Sequence, residues 1–245
     1  MEGIRKVRKT ILDSFCGHRV VFHHVPKCGG TSIERSLRIR YGISYATFPL
    51  RSLYNSIETL HPDFNDDDID LHSARIREVQ LLDYLYQDIR CIAGHIYFSS
   101  PAHRIFSDRY NFVTTLRDPV DFFISFYYQM LYSDEKRWKI DYTLEEFLDT
   151  PLAKLFGTFY ALYFSELPQD KLVSNNEAAR LSIENLRKFT LVGVLEDMTK
   201  FKRRLSEVLG VRLWVGHANK SNAKQNGDRV LMTPTIRRKI EALSP

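Results

Sequence analysis

Two stretches of this chain combine a cation with groups that bind anions. The first, residues 22–34, reads FHHVPKCGGTSIE: a lysine and two glycines ahead of a pair of hydroxyls. Arg19 to Val25 is β-branched and apolar-rich, which predicts a buried strand, and a helix is expected from about Thr31 to Arg40. Between them Pro26 ends the strand, and Gly29 and Gly30 allow a tight turn. The amides of Gly29 through Ser32 then lie at the positive end of a helix, where phosphate binds readily. Lys27 adds a full charge, and Thr31 and Ser32 add hydroxyl donors. This is not a Walker A loop, because the lysine precedes the glycines and the required upstream glycine is missing. A capping box of Thr31 with Glu34 explains TSIE and leaves PKCGG unexplained. Cys28, beside Lys27 at a helix N-terminus, is expected to favour thiolate.

The second stretch is YNFVTTLR, residues 110–117, a strand followed by the helix DPVDFFISFYYQMLY. Asp118 is a natural N-cap and Pro119 a natural first helical residue. Arg117 is a planar fork suited to bidentate phosphate contact, and Ser125 adds a hydroxyl two turns into the helix. The plainer reading of Arg117 is an ion pair with Asp118. Between the two stretches IRCIAG reads as a short strand that delivers Gly94 and His95 at its end. Imidazole titrates near working pH, which would suit His95 to the part of a general base. Its plainer reading is a strand-end histidine held by a backbone hydrogen bond. His23 and His24 point to opposite faces of the first strand, so at most one approaches the site, and both read as structural. The aromatic run Phe122, Phe123, Phe126, Tyr127 and Tyr128 reads as core.

The elements that must position these groups alternate between strand and helix. SARIREVQLLDYLYQD places Ile76, Val79, Leu82 and Tyr86 on one helical face. Further helices are expected at 143–149, 151–163, 176–188 and 196–209, a late strand at FTLVGVL, and a terminal helix at TPTIRRKIEAL. Residues 41–70, ending in HPDFNDDDID, lack periodicity and read as an exposed insertion with a solvated acidic loop. The fold class expected is α/β, a three-layer, mostly parallel sheet with helices on both faces, forming one domain over 1–245. Ligands of such sheets sit at the strand carboxyl ends, where Lys27, His95 and Arg117 all fall.

A hydrophobic share of 44% with 27% charged residues suits a globular chain, and a net charge of +5 suits an anionic ligand without indicating nucleic acid. Three widely spaced cysteines argue against a disulfide framework and suit the cytoplasm. No apolar run is long enough for a membrane span, and the basic N-terminus lacks a signal-peptide core. HANKSNAKQNG, residues 217–227, is either a plain loop or a cap bringing Lys220 and Lys224 to a ligand.

HVPKCGGTS resembles the 5′-phosphosulfate loop of sulfotransferases that use 3′-phosphoadenosine 5′-phosphosulfate (PAPS), in particular the carbohydrate-type group with PKTGGTS. LRDPVDFFIS is similar to the group's second hallmark, Arg-Asp-Pro after a strand with a serine on the following helix. IAGHIYF resembles the Gly-His segment of uronyl 2-O-sulfotransferases, and LVGVLEDMTKFKRRL extends the likeness toward the C-terminus. The resemblance implies a P-loop-like turn in which Lys27, Cys28, Gly29, Gly30, Thr31 and Ser32 hold the 5′-phosphosulfate. It implies Arg117 and Ser125 on the 3′-phosphate, Lys27 and His95 in catalysis, and no metal. The cofactor would be PAPS, the product PAP, and the acceptor a hydroxyl, first of all on a carbohydrate. Cys28 stands where the group has threonine, and Phe122 where an arginine is common, which puts that arginine's contacts in doubt. Two other readings stay open: a PAPS- or nucleotide-binding module without transfer, and a kinase-like phosphotransferase, which would need Mg²⁺ and an acidic ligand at a strand end.

Overall fold

Val20, Val21, Phe22 and His23 form β1 (Val20–His23), and all four are buried, as befits a strand covered on both faces. A computed structural model describes residues 17–134, 139–172, 176–216 and 233–243 of the chain. After β1 come α1 (Gly30–Tyr41), β2 (Tyr45–Ala46), α2 (Leu50–Leu60), α3 (Asp66–Tyr86), β3 (Cys91–Gly94), α4 (Ser100–Phe106) and β4 (Asn111–Leu116). The chain continues through α5 (Pro119–Leu131), α6 (Leu144–Leu148), α7 (Pro151–Gly157), α8 (Phe159–Phe164) and α9 (Asn176–Leu186). It ends with β5 (Leu191–Val194), α10 (Met198–Leu209) and α11 (Pro234–Leu243).

The five strands make one parallel sheet in the order β2-β3-β1-β4-β5. The chain leaves β3 on one side of β1 and re-enters the sheet as β4 on the other, so the topological switch lies beside the end of β1. Register puts His23 level with Gly94 and Thr114, so the segments after β1, β3 and β4 emerge on one edge.

Alternation along the strands divides the core into layers. Val21, Ile92 and Phe112 face one side, where Leu81 and Leu85 of α3, Phe106 of α4 and Phe164 of α8 cover them. Val20, Phe22, Cys91 and Val113 face the other, under Ile33 and Leu37 of α1 and Phe201, Leu205 and Leu209 of α10. The expected three-layer α/β architecture is what forms. A separate apolar cluster of Phe123, Tyr127, Phe147, Phe156, Ile236 and Ile240 ties α5, α6, α7 and α11 together. The aromatic run of α5 is core, as expected: Phe122, Phe123, Tyr127 and Tyr128 are all buried. Among the described residues no helix is long and apolar enough to cross a membrane.

Two expectations change. On α3 the buried stripe is Ile69, Ser73, Arg77, Leu81 and Leu85, whereas Ile76, Val79 and Tyr86 are exposed. The cause is Arg77: its Nε donates to the Ser73 carbonyl at 3.1 Å and its guanidinium lies 5.0 Å over the Tyr97 ring. A satisfied arginine can be buried, so Arg77 shares the inward stripe with Ile69, Leu81 and Leu85, and Ile76, Val79 and Tyr86 are left outside it. The acidic run is not a solvated loop but the first turn of α3. Asn65 and Asp68 close a capping box, and Asp66, Asp67 and Asp68 sit where the helix dipole favours negative charge. Within residues 41–70 the structure also places α2 and the edge strand β2, whose two residues are too few to show a period.

Candidate active site at the strand carboxyl ends

The turn from Pro26 to Gly29 leads straight into α1. Lys27 adopts φ 61° and Gly29 φ 76°, both in the left-handed region. For lysine this costs about 1–2 kcal/mol, so surrounding packing must hold it there. Each glycine answers to a different neighbour. A Cβ on Gly29 would lie 2.6 Å from Leu195 Cδ1, and one on Gly30 would lie 2.2 Å from His24 Cδ2. No side chain caps α1, and its first turn carries no acid. The expected capping box is therefore not formed: Thr31 is exposed, and Glu34 turns away. Glu34 instead accepts from His24 Nδ1 at 2.6 Å, Tyr45 Oη at 2.8 Å and Thr47 Oγ1 at 3.3 Å. Burial pushes its carboxyl up, but the bonds from His24 and Tyr45 prevail and hold it at about 2. The helix start is left to other acceptors, the arrangement that anions use.

Lys27 follows β1 and Arg117 follows β4, the strand paired with it, so the two cations sit at neighbouring strand ends. Burial, and then repulsion from Arg117, lowers the Lys27 pKa below that of an ordinary lysine. Arg117 Nε is buried and has no hydrogen-bond partner among the described residues. The expected alternative, a pair with Asp118, does not occur. Asp118 caps α5 by accepting from the amides of Val120 at 3.0 Å and Asp121 at 3.1 Å, and among the described residues it pairs with Arg237 at 4.0 Å. Glu196 comes close, but its carboxylate accepts from the Asp118 amide at 3.1 Å. Two cations that repel each other, one with an orphaned donor, fit an anionic ligand carrying more than one charge.

Cys28 is completely buried, and burial raises its pKa to about 12. It is a thiol, which corrects the thiolate expected from its place at a helix N-terminus. Its Sγ lies 3.5 Å from Tyr160 Oη, and that hydroxyl also accepts from the Arg117 amide at 3.0 Å and donates to the Arg117 carbonyl at 2.7 Å. Tyr160 thus ties Cys28 of the turn to Arg117 of the strand end. Ser125 lies two turns into α5 and is half-buried. Lys220 and Lys224 lie outside the described residues.

His95 follows β3, and its Nδ1 donates to the His24 carbonyl at 2.7 Å. This is the plain backbone bond, and it leaves Nε2 as the ring's acceptor. Arg77 Nη1 donates to the His95 carbonyl, anchoring the peptide from beneath. Burial, then the neighbouring His24, lowers the His95 pKa to about 4, so the imidazole is neutral at pH 7. The His24 ring lies 4.5 Å from that of His95 and packs against Gly30. His24 therefore joins the turn to the histidine, a larger part than the structural one expected. His23 keeps that structural part: it is buried on the other face, with Nδ1 3.2 Å from the Ile96 carbonyl.

Sequence reasoning missed Tyr160, Arg77 and the His24–Glu34 pair. Only the last left a trace, since a histidine before the turn and a glutamate one helical turn beyond it can meet across a glycine. A family model described as the sulfotransferase domain matches residues 19–171, which span every candidate residue from Lys27 to Tyr160 and well over half of the chain. No curated protein matches the chain.

Proposed function

The chain belongs to the sulfotransferase domain family, and we propose that it moves a sulfuryl group from PAPS to an acceptor hydroxyl on a carbohydrate. The observation that carries the donor half is the Lys27–Arg117 pair, with Arg117 Nε buried and unpartnered. PAPS supplies a sulfuryl group already activated on a phosphate that leaves readily. Lys27, the turn amides from Cys28 to Gly30 and the hydroxyls of Thr31 and Ser32 hold its 5′-phosphosulfate end. Arg117 and Ser125 hold the 3′-phosphate. Lys27 offsets charge growing on the leaving oxygen, a contribution of about 10²–10³ in rate for one such donor.

His95 takes the acceptor proton. Its Nδ1–H is engaged by the His24 carbonyl, so Nε2 presents its lone pair in a fixed tautomer. The Glu34 carboxylate, ionised and set behind His24, favours the imidazolium that forms. The preference for a carbohydrate acceptor rests on the likeness of IAGHIYF to uronyl sulfotransferases. The test is incubation with ³⁵S-labelled PAPS and a panel of glycans, peptides and small alcohols, with EDTA present. Label is expected on a glycan, and none with Lys27→Ala. Label on peptides or alcohols alone would replace the acceptor class, and no labelled product in any class would favour a binding module.

A further inference from the structure

We propose that Tyr160 is a positioning residue that sets the spacing between the turn and Arg117, and so between the two phosphate ends of a bisphosphorylated nucleotide. The ligand named rests on the function proposed above; the clasp itself rests on geometry. A phenol oxygen has one proton and two acceptor sites, and here all three are committed. The proton goes to the Arg117 carbonyl at 2.7 Å, and the Arg117 amide occupies one acceptor site at 3.0 Å. The third partner, Cys28 Sγ at 3.5 Å, must then donate, which agrees with a cysteine held as thiol.

The location explains why such a clasp is needed. β4 ends at Leu116, and its ladder with β1 reaches only Thr114, so the Arg117 peptide lies beyond the sheet. Tyr160 takes the two bonds to that peptide that a neighbouring strand would otherwise make. Its ring packs 5.1 Å from Phe122, so Tyr160→Phe removes the hydroxyl and keeps the apolar contact. Arg117 then keeps its charge and side chain but loses its fixed distance from Cys28.

The experiment compares wild type and Tyr160→Phe by calorimetric titration with PAP and with AMP, which lacks the 3′-phosphate. PAP affinity should fall about 10-fold, the effect of one or two hydrogen bonds, while AMP affinity changes by less than about 2-fold. An unchanged PAP affinity, or equal losses for both nucleotides, would overturn the proposal. Amide hydrogen exchange reads the clasp without any nucleotide: the Arg117 amide should exchange at least about 10-fold faster in Tyr160→Phe, with Thr114 to Leu116 unaffected. If wild type binds no PAP, the proposed function fails and the exchange result alone decides on the clasp. If Tyr160→Phe does not fold, Cys28→Ala cuts only the arm to the turn. It should narrow the gap between PAP and AMP while Arg117 stays protected, and an unchanged gap would refute the role in spacing.

Discussion

The cation side and the histidine side of this site are built in opposite ways. Lys27 and Arg117 repel each other, neither has an ion pair among the described residues, and Arg117 Nε is buried with no hydrogen-bond partner there. The histidines are complete at rest: His95 donates to the His24 carbonyl, His24 bonds Glu34, and Glu34 accepts from Tyr45. In the proposed function the cation side binds the ligand, and its orphaned donor is what points to an anion. The reacting half gives no such sign, because every bond it makes also suits an ordinary buried histidine. In the proposed function its chemistry falls to one atom, His95 Nε2, kept as an acceptor by the bond at Nδ1.

Breaking the cation side should have the largest effect. Lys27→Ala is expected to lower kcat by about 10²–10³, read in single-turnover transfer from labelled PAPS. Arg117→Ala should weaken PAP binding by about 10²-fold in calorimetry, since charge-assisted bonds are the strong ones. Glu34→Gln tests the other side. It leaves His24 and Tyr45 without their ionised acceptor and should lower stability by about 1–3 kcal/mol in urea titrations, with PAP affinity nearly unchanged.

The smallest effect sharpens the same contrast through pH. His23 and His95 are held near pKa 4 by burial, against about 6.5 in the unfolded chain. Between those values the unfolded chain binds more protons, so stability is complete above about pH 6.5 and is lost as pH falls toward 4. Moving from pH 7 to 6 should cost about 0.7 kcal/mol per histidine in denaturant melts. Glu34, held at about 2, adds a loss only below about pH 4.5. The acid limb of kcat/KM should likewise fall near pH 4, not near 6.5.

The turn, the Arg-Asp-Pro step and the parallel sheet were all legible because each is a local pattern. A strand, a turn residue and a helix cap follow one another within a few positions. The orientation of α3 was not legible, since it depends on Arg77 reaching the His95 carbonyl from another element. Glu34 was misread for the same reason: three-residue spacing signals a capping box, but His24 and Tyr45 compete for the carboxylate from outside the helix. Tyr160 lies on α8, far from both motifs in sequence, and nothing in its neighbours marks it. Cys28 shows that position alone does not set reactivity, because its burial outweighs the helix end and the lysine beside it.

The most direct test of the division into a holding half and a reacting half is one variant measured twice. His95→Ala should bind PAP within about 2-fold of wild type and lose transfer by about 10²–10⁴. A His95→Ala protein that transfers label at the wild-type rate would contradict the account.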